Sequence, residues 1–285
     1  MPATTRRPAP LNKSADKDGA SEEVAALARG LTVLRRVAGA DAPISNRELA
    51  ELTGIPKPSV SRLTATLVKA GFLFQLPDSE RFVLTASVLE LSNGFLRNFD
   101  IRARARPFLV GLADRTALSV HLVTRDRLDM VVIETVRPAS AILVSRLEIG
   151  SRMDLTRTAA GHAYLSALDG PERDALMAGL QVAAGDDWPH VHARLGHALL
   201  KTRKNGFAIE TGQWYEGLNA IAAGFVGPSG ERYAVNCGGA AHLYTREWLI
   251  EHAAPALIEC VGRIVRETGG AHAPAVPVRV TAVTG

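Results

Sequence analysis

The stretch SNRELAELTGIPKPSVSRLTATLVKAG, from Ser45 to Gly71, sets the architecture of the first part of this chain, because it predicts two helices joined by a tight turn. Ser45 and Glu48, three residues apart, match the capping box that begins a helix. Leu49 and Leu52 predict the apolar side of this first helix. Gly54 ends it, since glycine reaches left-handed backbone angles at little cost. A second helix then opens at Pro58 or at the serine that follows it. The pattern is typical of a helix-turn-helix.

The second predicted helix has one apolar and one polar side. Val60, Leu63, Leu67 and Ala70 recur at helical spacing and predict the buried side. The other side carries hydroxyl groups and cations near the helix start, which is the composition of a recognition helix that meets base edges and phosphates in the major groove. We therefore predict a set of DNA contacts on this helix and beside it. Its members are Arg47, Lys57, Pro58, Ser59, Ser61, Arg62, Thr64 and Arg81, of which Arg47 and Arg81 are assigned to phosphates.

The segment FLFQLPDSERFVL, residues 72–84, predicts two short strands around a Pro-Asp-Ser-Glu turn. These strands would form the wing of a winged helix, and Ile44 is expected to pair with them. The alternative is an ordinary helical hairpin with a polar outer face, because a helix-turn-helix pattern is short and degenerate. The attached hairpin and the hydroxyl-rich face favour the DNA-binding interpretation. The same polar face, residues 57–66, argues against a purely structural dimerisation module.

Length and composition bound the possible classes of protein. A chain of 285 residues with 47% apolar residues is long enough for two domains with buried cores. The net charge of +4 is compatible with a polyanionic partner. Two cysteines, Cys237 and Cys260, predict no disulfide framework and a reducing compartment. Because the chain has neither a long apolar run nor a signal-peptide core, we expect a cytoplasmic protein without membrane contact.

The order of patterns along the chain predicts five segments. Residues 1–20 lack apolar periodicity and predict a disordered tail, and residues 21–84 predict the winged helix-turn-helix domain. Residues 85–99 form an amphipathic pattern that predicts a linker helix close to a dimer interface. Residues 100–268 alternate helices and strands, and residues 269–285 predict a second disordered tail.

The largest segment, residues 100–268, predicts an α+β domain with an antiparallel sheet. Hairpins are expected at residues 119–135 and 218–240, and a further strand at residues 141–147. Residues 150–156 are expected to form a loop, and residues 246–267 a long final helix. Together with the first domain, this makes an α+β two-domain protein.

Several separated motifs resemble the IclR-type bacterial transcriptional regulators. The sequence GIPKPSVSRLTATL at 54–67, followed by Gly71 and Phe72, resembles the recognition helix of that family. The segments TAAGHAYL, NGFAIE, GLNAIAAGF and AVNCGG, which begin at 158, 205, 217 and 234, match the family's effector domain in order and spacing. The resemblance covers roughly residues 25–266 and implies a GAF-like effector domain, control of a catabolic operon, and a dimer or dimer of dimers on a palindromic operator.

A small-molecule site is predicted around residues 153–162, where small residues, hydroxyls and a cation meet at a helix start. Free N–H groups and the positive end of the helix favour an anion such as a carboxylate. The resemblance implies effector contacts at Met153, Leu155, Ala160, Gly161, Glu210, Leu218, Ala220, Asn236 and Gly238. Close helix–sheet packing at 159–161, or a hydrogen bond of Asn236 at a turn end, is the structural alternative.

Four of these positions depart from common members of the family. Ala220 stands where a cysteine is frequent, and Asn236 and Gly238 stand where serines are frequent. Glu210 replaces the more usual aspartate. The loss of thiol and hydroxyl groups favours a larger or aromatic acid over a small 2-oxo acid as the effector.

Motifs of enzymes are missing from the sequence: it has no G-x-S-x-G, H-E-x-x-H, P-loop or G-x-G-x-x-G pattern. His190 and His192, beside Trp188, would need further ligands to hold a metal, so neither a metal nor a cofactor is predicted. His121 and His162 are interpreted as structural or pocket-lining residues. The rival hypothesis is an enzyme that acts on a small organic acid and uses the N-terminal domain for assembly, but no paired nucleophile and base supports it.

Overall fold

A computed structural model describes residues 24–97, 100–138 and 147–273, and the chain divides into two units between Phe95 and Leu96. Within the described residues, the first unit contains three helices, most of a fourth that continues to Arg97, and a three-stranded antiparallel sheet of order β1-β3-β2. In chain order its elements are α1 (Ala25–Ala38), β1 (Ile44–Ser45), α2 (Asn46–Thr53), α3 (Lys57–Lys69), β2 (Leu73–Gln75), β3 (Arg81–Leu84) and α4 (Ser87–Arg97).

The turn between α2 and α3 forms for the local reasons that the sequence predicts. Ser45 N–H donates to Glu48 Oε2 at 2.8 Å, and Glu48 N–H donates to Ser45 Oγ at 3.3 Å, which completes the capping box. Gly54 has φ +68° and ends α2 in the left-handed region. Ile44 pairs with Phe82 in the wing. The predicted helix-turn-helix with its wing is confirmed.

The core of the first unit joins its helices to the wing. Its buried apolar side chains are Val33, Val37, Ile44, Leu49, Ile55, Val60, Leu73 and Phe82, with Leu63 and Leu67 partly buried against them. Leu52 and Ala70, which the helical pattern assigned to buried sides, are exposed. Leu52 lies in the last turn of α2, and Ala70 is the C-cap that follows α3.

The second unit is an α+β fold built on an antiparallel sheet, to which the described residues contribute seven strands. Its strands are β4 (Ser119–Asp126), β5 (Asp129–Val136), β6 (Arg152–Asp154), β7 (Ala208–Thr211), β8 (Leu218–Val226), β9 (Arg232–Ala240) and β10 (Ala271–His272). Its helices are α5 (Asp100–Thr116), α6 (Ala159–Ala167), α7 (Gly170–Ala184), α8 (Trp188–Asn205), α9 (Arg246–Trp248) and α10 (Ala254–Thr268). The predicted α+β class with an antiparallel sheet is confirmed, and the GAF-like layout stays a prediction.

Alternation along the strands separates two cores. Ile221, Ala223 and Phe225 of β8 pack with α5 and α10, whereas Ala220 and Ala222 pack with α6, α7 and α8. Successive strand residues point to opposite faces, so β4, β5, β8 and β9 contribute to both cores. The α6 face is the one on which small residues of the strands leave room for a cavity.

Three predictions about the second unit need correction. The loop predicted at 150–156 contains β6, whose Met153 pairs with Met130 of β5. The tail predicted from residue 269 is wrong for its first residues, because Ala271 pairs with Val226 of β8. The single final helix is interrupted by a π-helical turn at Leu249–Ala253, next to Pro255, which has no N–H to donate to a regular helix.

Some predictions fall outside the described residues. These are the strand at 141–147, apart from its last residue, both tails beyond residues 24 and 273, and the end of the linker helix at 98–99. None of the described helices is long and apolar enough to cross a membrane.

Candidate functional site

The outer face of α3 presents four predicted DNA contacts to solvent. Lys57, Pro58, Ser61 and Arg62 are exposed, and Ser59 is partly exposed. Within the described residues, neither Lys57 nor Arg62 forms an ion pair. Cations without internal partners are available to phosphates or to guanine edges.

Thr64 does not belong to this outer face. Its side chain is 1% exposed, and Thr64 Oγ1 donates to Asn46 Oδ1 at 2.9 Å and lies 3.1 Å from the carbonyl oxygen of Val60. Thr64 therefore ties α3 to the start of α2 and cannot reach a base. The prediction of Thr64 as a DNA contact is wrong, because residue 64 follows Val60 by four positions and shares its buried side.

The two arginines assigned to phosphates are both held by glutamates. Arg47 Nε lies 2.9 Å from Glu51 Oε1, and both side chains are largely exposed. Arg81 forms more hydrogen bonds than Arg47. Its Nη1 donates to the carbonyl oxygen of Pro43 at 2.7 Å and to Glu48 Oε2 at 3.0 Å. A phosphate contact of Arg81 would compete with these bonds, which attach the wing to the start of α2.

A narrow cavity lies between α6 and the sheet of the second unit. It encloses about 480 Å³, including the part that opens to solvent. Six of the nine predicted effector contacts line it, namely Met153, Glu210, Leu218, Ala220, Asn236 and Gly238. The other lining residues are Ser119, His121, Leu147, Thr158, Ala159, Trp214 and Gly239.

Strand register brings the polar lining residues together. Asn236 of β9 lies opposite His121 of β4, and Gly238 lies opposite Ser119. On the other side of β9, Gly238 lies opposite Ala220 of β8. Ala220 in turn faces Glu210 of β7. Residues from four strands thus meet at one end of the sheet.

Two titratable groups in the cavity have shifted pKa values. Burial, and then the nearby Arg137, lower the pKa of His121 to about 4, so its ring is neutral at neutral pH. His121 Nδ1 lies 3.0 Å from Thr135 Oγ1, which orients the ring. Burial raises the pKa of Glu210, although the N–H groups of Gln213 and Trp214 donate to its carboxylate and partly oppose that shift.

The start of α6 supplies the positive end of the site. Thr158 is the N-cap, and its Oγ1 accepts from the N–H of Gly161 at 3.1 Å. The first N–H groups of a helix have no partner within the helix, and this applies to Ala159 and Ala160. Since Thr158 and Ala159 line the cavity, an anion in it would meet a favourable helix end.

Three predicted contacts are packed away from the cavity lining. Leu155, Ala160 and Gly161 are buried, but none of them lines the cavity. A Cβ at Gly161 would overlap the carbonyl oxygen of Leu155, so this glycine permits the close approach of the chain to α6. For Gly161, the packing alternative is therefore the better account.

Seven lining residues are not among the predicted effector contacts. Ser119 and His121 could have been included, because they alternate on the strand that pairs with Asn236 and Gly238. Thr158 carries an N-cap signal in the sequence. Trp214 lies in a loop without any signal that would place it here.

The histidines near Trp188 are not assembled into a metal site. Among the described residues, no group of three or more His, Cys, Asp or Glu is arranged to hold a metal ion. His192 instead packs against Trp188, with ring centroids 5.2 Å apart.

Comparisons with known proteins connect both units to one kind of protein. The model of the IclR helix-turn-helix domain matches residues 26–77, and the model of the bacterial transcriptional regulator IclR C-terminal domain matches residues 93–266. The HTH-type transcriptional regulator TsaQ1/TsaQ2 of Comamonas testosteroni is 33% identical over 254 residues, which cover 88% of this chain and 91% of that protein.

Solved structures show the same likeness. An IclR family transcriptional regulator from Brucella abortus is 33% identical and superposes with a TM-score of 0.76, covering 93% of this chain and 97% of its own. An IclR homolog from Microbacterium hydrocarbonoxydans, complexed with 4-hydroxybenzoate, has a TM-score of 0.66 and covers 85% of this chain and 98% of its own. At 16% identity, that second structure shares the fold.

Proposed function

This chain belongs to the IclR family of bacterial transcriptional regulators, and on that premise we propose that a small organic acid bound in its second unit modulates operator binding by its first unit. The chain is a regulator with a helix-turn-helix DNA-binding domain. The rival hypothesis of an enzyme is set aside, because the matched models and relatives are named as transcriptional regulators.

In the proposed complex, α3 enters the major groove of operator DNA. Lys57, Ser59, Ser61 and Arg62 are the proposed contacts, because their side chains lie on the exposed face near the helix start. Arg47 is proposed to reach phosphate from α2, where its guanidinium is exposed. Phosphate contacts fix the register of the protein on the duplex, and base contacts select the sequence.

A pair of identical chains would present two such helices to a palindromic operator. Exposed apolar side chains support this association, since large apolar groups at a surface mark interaction sites. They include Leu27 and Leu31 on α1, and Leu89, Leu91 and Phe95 on α4. Half-sites are then expected about one helical turn apart, roughly 34 Å.

The cavity under α6 is the observation that carries the effector proposal. Ligand sites are concave, largely apolar, and fitted with a few converging polar groups, and this cavity combines Met153 and Leu218 with Asn236 and a neutral His121. No lysine or arginine is among its described lining residues. A carboxylate would therefore bind through the free N–H groups at the start of α6, because the hydroxyl of Thr158 already donates to the carbonyl oxygen of Asp154.

The remaining polar groups suit the opposite end of such an acid. The amide of Asn236 and the ring of His121 face one another across the β4–β9 register and can exchange hydrogen bonds with a hydroxyl or carbonyl group. Trp214 supplies an aromatic wall. We infer a hydroxylated, aromatic acid as the effector class. The 4-hydroxybenzoate in the Microbacterium structure is an acid of this class bound by a protein of the same fold.

Binding of the acid changes operator affinity only by the difference in its affinity for the two arrangements of the DNA-binding domains. The proposal is tested with labelled DNA from the region upstream of the protein's own gene, titrated with 4-hydroxybenzoate present and absent. A shift in operator affinity that Asn236→Leu abolishes supports the proposal. If no aromatic or aliphatic acid shifts the affinity of the wild-type protein, the effector proposal fails.

A further inference from the structure

A second cavity of the second unit shares Glu210 with the effector cavity, and its other lining residues are different. It encloses about 760 Å³, including its open part, and residues of α6, α8, β7 and α9 line it. Three of its side chains are cationic: Arg194 and Lys201 from α8, and Arg246 from α9. Its other titratable lining residues are His162, His197 and Glu210.

The three cations are not neutralised by the surrounding residues. Over residues 24–97, 100–138 and 147–273, no carboxylate lies within ion-pair distance of Arg194, Lys201 or Arg246. Glu210 is the one carboxylate among the described lining residues, and its oxygen already accepts the backbone N–H groups of Gln213 and Trp214. The cavity wall therefore carries an excess of positive charge.

Two polar atoms of this wall are buried without a partner. Arg194 Nε has no hydrogen-bond acceptor among the described residues, and His162 Nδ1 also lacks a partner there. His162 is 4% exposed. Buried polar atoms are normally hydrogen-bonded, so these two indicate a group that the protein alone does not supply.

The hydrogen bonds of His162 define which kind of group that is. His162 Nε2 lies 2.9 Å from the carbonyl oxygen of Thr156, and a carbonyl only accepts, so Nε2 carries the proton. Burial lowers the pKa of His162 and Arg194 lowers it further, while the hydrogen bond to Thr156 partly opposes them, so the neutral ring is favoured at neutral pH. Nδ1 is then a lone pair that accepts a hydrogen bond from a hydroxyl group.

We propose that this cavity binds a small oxyanion that carries a hydroxyl group, of the type of hydrogen phosphate or a hydroxylated polycarboxylate. Its negative oxygens pair with Arg194, Lys201 and Arg246, and guanidinium groups suit such oxygens because they bind them in a bidentate manner. Its hydroxyl donates to His162 Nδ1. The site is distinct from the effector cavity and does not depend on the proposed effector.

The first test is calorimetric titration of the full chain with sodium phosphate at neutral pH, in a phosphate-free buffer of constant ionic strength. Sulfate is the matched probe, because it is a tetrahedral oxyanion without a hydroxyl group at this pH. Phosphate is expected to bind saturably, with one site per chain, and about tenfold or more tightly than sulfate. Absence of saturable phosphate binding, or equal binding of sulfate, overturns the proposal.

Variants of α8 distinguish phosphate binding at a defined site from general electrostatic attraction between phosphate and the basic helix. Arg194→Gln is expected to weaken phosphate binding about tenfold or more, and Lys201→Gln to weaken it measurably. Lys204→Gln removes an exposed cation of the same helix outside the cavity lining and should leave binding unchanged. Equal losses for Lys201→Gln and Lys204→Gln would contradict a defined site.

The variant Asn236→Leu distinguishes the proposed phosphate site from the proposed effector site. Asn236 lines the effector cavity and not this one, so the variant is expected to retain phosphate binding. Circular dichroism checks that each variant is folded. Loss of phosphate binding in a folded Asn236→Leu protein would assign the phosphate to the effector cavity and overturn the proposal of a second site.

Discussion

Asn236 lies directly opposite His121 in the antiparallel pairing of β9 with β4, and both side chains line the cavity beneath α6. The two residues are more than a hundred positions apart in sequence, and the sheet register alone brings them together. A neutral imidazole beside a primary amide gives the cavity both donors and acceptors without a charge. This pair is the basis of the effector proposal.

Replacing Asn236 with leucine tests that pair. Asn236→Leu removes the amide and adds apolar volume, so we expect the response to 4-hydroxybenzoate to disappear while operator affinity stays within a factor of about two. The measurement is operator-binding anisotropy with and without the acid. Leu243→Ala, at an exposed site outside the cavity lining, serves as the control. A normal response in Asn236→Leu would remove Asn236 from the effector site.

Substitution of Arg62 is the most direct test of whether α3 contacts the operator. Because Arg62 is exposed on α3 and unpaired within the described residues, Arg62→Ala should weaken specific operator binding by about 1–3 kcal/mol and leave thermal stability unchanged. Lys69→Ala, at the other end of the same helix, is the matched control and should have a smaller effect. Unchanged operator binding in Arg62→Ala would refute the docking of α3.

Thr64 is expected to matter for stability and not for base contact. Thr64→Val keeps the shape of the side chain but removes the hydrogen bond to Asn46, and should lower the free energy of unfolding by about 1 kcal/mol. Thr66→Val removes a hydroxyl that is exposed on the same helix and should have little effect. Thermal unfolding of the two variants compares them directly. Equal stability would show that the buried hydroxyl contributes nothing.

The lowered pKa of His121 predicts that the protein loses stability in mild acid. Its folded pKa of about 4 lies below the ordinary value of 6.5, so the unfolded chain takes up the proton first as pH falls. The stability of the second unit should therefore fall as pH decreases from 6.5 towards 4. His121→Gln should flatten this part of the profile, as measured by chemical unfolding at several pH values. An unchanged slope in the variant would assign the acid sensitivity to other groups.

The helix-turn-helix could be predicted from sequence because local signals define it. The capping box at Ser45, the left-handed Gly54 and the spacing of Val60 act within a few residues of one another. The prediction for Thr64 is wrong because position 64, four residues after Val60, lies on the buried side of α3, whatever its hydroxyl could bind at a surface. The prediction for Leu52 is wrong because helical spacing alone does not show which apolar side chains of a helix contact the core.

The cavity was only partly predictable, because distant strands build it. Ser119 and His121 line the cavity because β4 pairs with β9 in a particular register, and the sequence does not show that register. Trp214 enters from a loop. The resemblance to known regulators supplied Glu210 correctly as a lining residue, but it also supplied Gly161, whose role here is close packing. The family resemblance therefore predicted where the cavity lies, but it did not predict every residue that lines it.

The central claim is that α3 reads a specific operator and that phosphate contacts anchor it there. The most direct measurement is a titration of the wild-type protein on its own upstream DNA and on a scrambled duplex over a range of salt concentrations. We predict tighter binding to the upstream DNA and a linear fall of log K with log salt concentration. Equal, weak binding to both duplexes would contradict the claim.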